Sequence, residues 1–407
     1  MRMLGNSTRI LGGAVILSVT LSAQTFTTLY SFGSQENDGT GPQSGLILGP
    51  QRELYGTTGL GGRWGRGAVY ELLPPPLAGG AWTEAVLHSF SDADGGEPLW
   101  GLARGANGSL YGVTSHFAFN AFKLDPPTGA STHWPYTVIY QFNGNSSGPL
   151  VFGPLPGYGQ SLYGSASGIV FRLTPPSTAG DAWTQTILYT FPGGSLGSGP
   201  AGSLAVGAGG GLFGVTTDGG YVGGECFYVG GCGTVFSLTP PAQPGGLWSE
   251  EILHAFKPWI GEGALPAAGL VMGLAGVQYG TTGAGDGLGA SGIFSLTPPV
   301  APGVPMTETT LYDFGGVQDL PATVLPGPNG VLYGTASGGS GTYGAVFELV
   351  PPAQAGGRWT ETILHSFTGG ADGGVPNGLT LAPDGTLYGT TLGGGTNGVG
   401  TVFALTP

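Results

Sequence analysis

One landmark, Leu-Tyr-Gly or a close variant of it, recurs along the whole chain. Its aromatic residue is Tyr55, Tyr111, Tyr163, Phe213, Tyr279, Tyr333 and then Tyr388, at intervals of 56, 52, 50, 66, 54 and 55 residues. A period of that length suits one four-stranded antiparallel unit, and stacked units form one body however long the chain is. The 407 residues therefore read as a single repeating domain.

Three other segments keep step with the landmark. Before it comes a short apolar strand, as in Gly45-Leu46-Ile47-Leu48 and Gly269-Leu270-Val271-Met272. Between the two lies a tight turn, clearest at Asn107-Gly108, Asn329-Gly330 and Asp384-Gly385, whose residues accept the positive φ of a two-residue hairpin. After the landmark come a glycine-rich loop and a third strand, such as Ala68 to Leu72 or Thr234 to Leu238, ended by Pro-Pro. Proline stops it because it donates no ladder hydrogen bond. The fourth strand runs from Trp82 to Phe90, Trp134 to Phe142, Trp183 to Phe191, Trp248 to Phe256, Met306 to Phe314 and Trp359 to Phe367. Its polar–apolar alternation fits a half-exposed outer strand.

The two ends of the chain complement each other. Phe26 to Phe32 is a seventh fourth strand with no strands before it, and Thr401 to Leu405 is a seventh third strand with none after it. If the first completes the last unit, every unit has four strands and no edge stays open. The expected fold is all-β: a seven-bladed β-propeller with four antiparallel strands per blade, closed by the N-terminal strand. An open solenoid would need capping units instead. Helix is nearly excluded, because 85 glycines and 33 prolines interrupt every amphipathic run.

The consensus Leu-Tyr-Gly-Thr-Thr-x-x-Gly-Gly, Gly-x-Val-Phe-x-Leu-x-Pro-Pro and Trp-Thr-Glu-x-x-Leu-His-Ser-Phe resembles the GloVer tandem repeat of exported bacterial "choice-of-anchor" proteins. The resemblance spans essentially all of the chain after the leader and implies a repeat but no activity. Members of that family often end in an anchoring segment. The last residues here, Leu405-Thr406-Pro407, show none, so release is expected rather than surface attachment.

Residues 1–23 read as an export signal, with Arg2 and Arg9 before the apolar run Ile10 to Leu21 and the small pair Ser22-Ala23 at the cut. The alternative is a retained anchor helix. Residues 24–407 then form the one propeller domain, expected to be secreted or periplasmic and monomeric. Losing the leader leaves eight basic residues against 23 acidic ones, a field that disfavours nucleic acid and anionic membrane as partners. Cys226 and Cys232, the only cysteines, are expected to form a disulfide in an exported chain, with a metal site as the alternative.

Function is sought on the rim made by the loops from fourth to first strands and from second to third, since these vary while the Pro-Pro rim does not. The candidate ligand-binding residues there are Arg63, Trp64, Arg66, Asp92, Asp94, Glu97, Trp100, His116, Phe117, Tyr221, Tyr228, Trp259 and Asp372. Exposed aromatics beside carboxylates can stack on sugar rings and bond their hydroxyls, or simply plug gaps between blades. His88, His254 and His365 are one strand position repeated in separate units, and so are Glu84, Glu250, Glu308 and Glu361. Neither set reads as a metal or catalytic cluster. Asp92 to Glu97 echoes a calcium loop but is too short for the twelve-residue pattern, so calcium is the one cofactor kept in view.

The leading function is a non-catalytic module that binds a glycan or a protein on this rim. The second is a propeller-type polysaccharide lyase or glycoside hydrolase using Asp92, Asp94, Glu97 and Asp372 with His116 or Arg63. The third is a structural, self-associating envelope protein.

Overall fold

The computed structural model describes residues 24–407 except 78, 145–147, 154–159, 179, 208, 222, 224–225, 227–229, 244, 258–262, 284–290, 299–305, 316–320, 339–341 and 355. The fold is all-β, and among the described residues the only helical pieces are single 3-10 turns. Each unit is named below by its landmark aromatic.

In the Tyr111 unit the order across the sheet is Ala103–Arg104, Leu110–Val113, Asn120–Leu124, Tyr136–Gln141, all antiparallel. The Tyr163 and Tyr333 units repeat it, ending on outer strands Thr184–Thr190 and Thr360–Ser366. The Phe213 and Tyr279 units are joined edge to edge by one parallel bridge, Ser203 to Gly269. In the Tyr55 unit the innermost position is split between Gly39–Pro42 and Ile47–Leu48. The Tyr388 unit contains both ends of the described chain: Thr25–Ser31 pairs antiparallel with Thr401–Thr406, with Phe26 opposite Leu405 and Ser31 opposite Thr401. The head-to-tail pairing expected from the sequence is present.

Each letter of the landmark has a physical task. The leucine is fully buried at Leu54, Leu110, Leu162 and Leu387. The tyrosine meets the tryptophan that opens a fourth strand in the following unit: Tyr55 with Trp134, Tyr111 with Trp183, Tyr163 with Trp248, and Tyr388 with Trp82. The glycine is required by the third strand's aromatic ring. A Cβ on Gly112 or Gly280 would lie 2.5 Å from the ring of Phe122 or Phe294. The first threonine ties neighbouring units. Thr57 donates to the carbonyl of Trp100 (3.2 Å), Thr335 to that of Asn377 (2.7 Å) and Thr390 to that of Ser44 (2.9 Å). The second accepts a backbone N–H across its own loop, from Ala68 at Thr58, Thr234 at Thr216 and Thr401 at Thr391.

The outer strands are cross-tied as well. Tyr140 donates to Gln185 (2.9 Å), Tyr189 to Glu250 (3.4 Å) and Tyr312 to Glu361 (2.7 Å). At two of the positions where histidine replaces the tyrosine the partner is a ring: His88 lies flat on Tyr136 and His365 on Phe26. These contacts give His88, His365, Glu250 and Glu361 structural partners in neighbouring strands. The last unit lies against the first. Asn377 donates to the Pro42 carbonyl, Thr380 to that of Leu46, and Arg52 forms an ion pair with Asp384 at 2.6 Å. The core is a series of clusters across these junctions. Phe32, Leu46, Tyr70, Tyr388 and Val402 form one of them from both ends of the chain. Fully burying each such side chain contributes about 1.5–3 kcal/mol.

Candidate functional site

Two regions depart from the repeat. The first is on the rim, where the Tyr55 and Tyr111 units meet. Gly61, Gly62, Gly65 and Gly67 all have positive φ, 70° to 91°, and this curls the second-to-third-strand loop so that Arg63, Trp64 and Arg66 sit at its tip. The Arg63 guanidinium lies 4.8 Å over the indole of Trp64, which is 57% exposed. The Arg66 guanidinium lies 4.2 Å over Phe117, and its Nε bonds the Asp92 carboxylate. His116 meets Phe117 edge-on at 4.2 Å. The segment between the two units is held to both loops. Gly96 pairs with His116, and the Glu97 N–H donates to the Arg66 carbonyl at 2.9 Å.

Phe117 is 49% exposed and has φ +62°, a strained conformation for an aromatic residue. Glu97 also has positive φ, 52°, but so do Leu265 and Val375 at the same place in other units. Each of these precedes a proline, and Pro98, Pro266 and Pro376 pack on Gly67, Gly233 and Gly344 of the unit before. The positive φ at Glu97 therefore belongs to the repeat, and so does that at Phe117, where the corresponding loop residues Gly65 and Gly398 also have positive φ but no ring to hold there.

Seven of the expected site residues thus converge: Arg63, Trp64, Arg66, Asp92, Glu97, His116 and Phe117. The others lie apart. Asp94 accepts the Ser91 N–H and hydroxyl and faces His88 at 3.5 Å, while burial depresses the His88 pKa against the pull of that carboxylate. Asp372 does the same in the Tyr388 unit, accepting from the Thr368 N–H (2.9 Å) and contacting His365 (3.2 Å). Burial would raise its pKa, but the bonds from Thr368 and His365 outweigh burial and hold it below the usual carboxylate range. Asp38 repeats the arrangement with Ser34 and Tyr30. These three aspartates brace the turns after three of the fourth strands, and Asp92 points away from them to Arg66.

Cys226 and Cys232 form a disulfide that is fully buried, and Leu265 of the next unit donates its N–H to the Cys232 carbonyl. Tyr221, 40% exposed, begins this loop and accepts the Cys232 N–H on its carbonyl. Tyr228 and Trp259 lie outside the described residues. Among the described residues no group of three or more His, Cys, Asp or Glu side chains is placed to hold a metal ion.

The second region was not anticipated. A cavity of about 540 Å³ is lined by the innermost segments of every unit, from Gln43, Trp100 and Leu150 through Ser203, Ala268 and Thr323 to Asn377. Trp100, expected on the rim, lines this cavity. The chain leaves the rim at Pro98, and Trp100 two residues later already borders the cavity, ahead of the inner strand Ala103–Arg104. The signal available in the sequence was the pair of positions after that proline, which hold Gln43, Trp100 and Asn377 in some units but Ala201, Gly202 and Ala268 in others.

All-β repeat units, tied in series and joined head to tail, define the class of this protein. Residues 6–168 match the family model described as the Gloeobacter/Verrucomicrobia repeat, and the chain carries that repeat family's motif. No curated protein matches the chain. Among solved structures, the PQQ domain of pyranose dehydrogenase from Coprinopsis cinerea is similar at 12% identity and a TM-score of 0.45, over 75% of this chain and 92% of that one. Drosophila Semaphorin 1a, extracellular domains 1–2, is similar at 9% identity and a TM-score of 0.47, over 93% of this chain and 88% of that one.

Proposed function

We propose that the protein is an exported, non-catalytic binding module. In this reading it is a seven-bladed β-propeller, closed by its N-terminal strand, that takes a glycan or protein ligand on the rim between the Tyr55 and Tyr111 units. The unbroken series of inter-unit ties, including Tyr388 to Trp82 and Thr390 to Ser44 across the ends, supports the closed ring. One observation carries the binding role. Two arginines are stacked on two exposed rings, and one of those rings, Phe117, stands at a positive-φ loop position where the Tyr55 and Tyr388 units carry glycine. Such a surface presents flat apolar faces beside hydrogen-bond donors, the combination that anchors ligands at interfaces.

The test is a glycan array and a set of purified envelope proteins probed with the wild type and with Arg63→Ala/Trp64→Ala. Ligands of the wild type that the double variant loses support the rim site. Ligands held equally by both proteins, or no ligand at all, overturn it.

A further inference from the structure

We propose that the central cavity is a second binding site, distinct from the rim, that holds one uncharged sugar unit against Trp100. The argument begins with asymmetry. Seven copies of one unit that merely packed together would furnish the cavity alike on all sides. Instead, the amide and aromatic side chains fall in three successive units, Asn377, then Gln43, then Trp100, while the other units offer only the small hydroxyls of Ser203 and Thr323 or apolar side chains. Across from them the wall is Gly202, Ser203, Ala268, Ala322 and Thr323, all small, which leaves space.

The furnished wall is fixed in place. The Trp100 carbonyl is held by the Thr57 hydroxyl, and its indole packs on the core cluster that contains Ala103 and Tyr111. Asn377 donates its Nδ2 to the Pro42 carbonyl at 3.0 Å, which leaves its Oδ1 to accept from a ligand. Gln43 is exposed where it lines the cavity, with both ends of its amide available. A pyranose offers an apolar face to an indole and hydroxyls that both donate to and accept from amides.

Charge selects further. Among the described residues no acidic or basic side chain lines the cavity, although the chain carries a net charge of −13. A charged ligand would be desolvated there without a counter-ion, whereas a neutral polyol would lose nothing it cannot regain. The volume lies within the range of about 300–1,000 Å³ typical of small-molecule sites.

The experiment is calorimetric titration of the purified protein with glucose, galactose, xylose and cellobiose, with glucuronate and nicotinamide as controls. At least one neutral sugar is expected to bind. Trp100→Ala is expected to weaken it about tenfold or more, a loss of about 1.4 kcal/mol. Ala268→Leu fills the bare wall without touching the core and is expected to do the same, so the test survives if Trp100→Ala fails to fold. Arg63→Ala/Trp64→Ala should leave this binding unchanged, which separates the cavity from the rim. Silence from all four sugars, equal binding of glucuronate, binding of nicotinamide alone, or indifference to Ala268→Leu would overturn the proposal.

Discussion

Phe26 lies flat on His365, with ring centroids 3.7 Å apart and planes within 5°. Phe26, the second residue of the N-terminal strand, thus reaches the outer strand of the Tyr333 unit, while the strand itself is paired into the Tyr388 unit. Phe26 also meets Phe367 and Phe403, so one side chain joins three strands that the sequence separates widely. Phe26→Ala is expected to cost about 2–3 kcal/mol, somewhat less than a fully buried phenylalanine because the ring is half-buried. Equilibrium denaturation would show this as a lower midpoint. An unchanged midpoint would mean that the N-terminal strand contributes little to stability.

The landmark glycine gives a second prediction, because it separates two reasons for needing glycine. At Gly280 the backbone is ordinary but a Cβ would press on the Phe294 ring. Gly280→Ala is therefore an overpacking change, expected to cost about 1–3 kcal/mol. Gly65 has open space around it and φ +73°. Gly65→Ala should cost about 1 kcal/mol, through backbone strain alone. Thermal melts of the two variants should rank in that order.

Much of this was legible in the sequence because the repeat fixes local tasks: a period for the units, turn residues for the hairpins, complementary ends for the pairing. Partners across a junction were not legible. Tyr55 meets Trp134 and Arg66 meets Phe117 over separations that no local pattern records. The roles of Asp94 and Asp372 were obscured because an acid in a variable loop looks like a site. The clue was the hydroxyl residue shortly before each, Ser91 and Thr368, which marks a turn closed by side chain on backbone. Trp100 was misplaced because strand boundaries decide whether a residue faces rim or cavity, and those boundaries are what a sequence specifies least.

Glu84 supplies a pH-dependent prediction. It occupies the outer-strand position where Glu250 and Glu361 are bonded by tyrosines, yet Tyr30 turns instead to Asp38, and the Glu84 Oε1 is buried without a protein partner. Burial, and then the Asp38 carboxylate, push its pKa from 4.5 up to about 8. The folded state thus binds a proton that the unfolded state releases between those values. This contribution is complete below pH 4.5 and is lost as pH rises toward 8, by an amount on the order of a few kcal/mol. Melting temperature plotted against pH should fall across that window for the wild type and flatten for Glu84→Gln. Parallel curves would show that Glu84 titrates normally in the folded protein.

The disulfide yields the last prediction. Cys226 and Cys232 close a short loop, so the entropy they remove from the unfolded chain is modest, about 2 kcal/mol by loop-closure arguments. Their packing adds a second effect: both are fully buried in the cluster containing Val235, Phe256 and Ala264, and the Cys232 carbonyl receives the Leu265 N–H from the next unit. Cys226→Ser/Cys232→Ser would place two hydroxyls in that apolar cluster, whereas Cys226→Ala/Cys232→Ala removes only the bond and some volume. The serine pair should therefore melt lower than the alanine pair, and the alanine pair lower than the wild type. Reductant added to the native wild type should act slowly, at the rate at which this junction opens, because neither sulfur is reachable from solvent. Rapid reduction under native conditions would show that the loop from Tyr221 to Cys232 is only loosely seated on its neighbour.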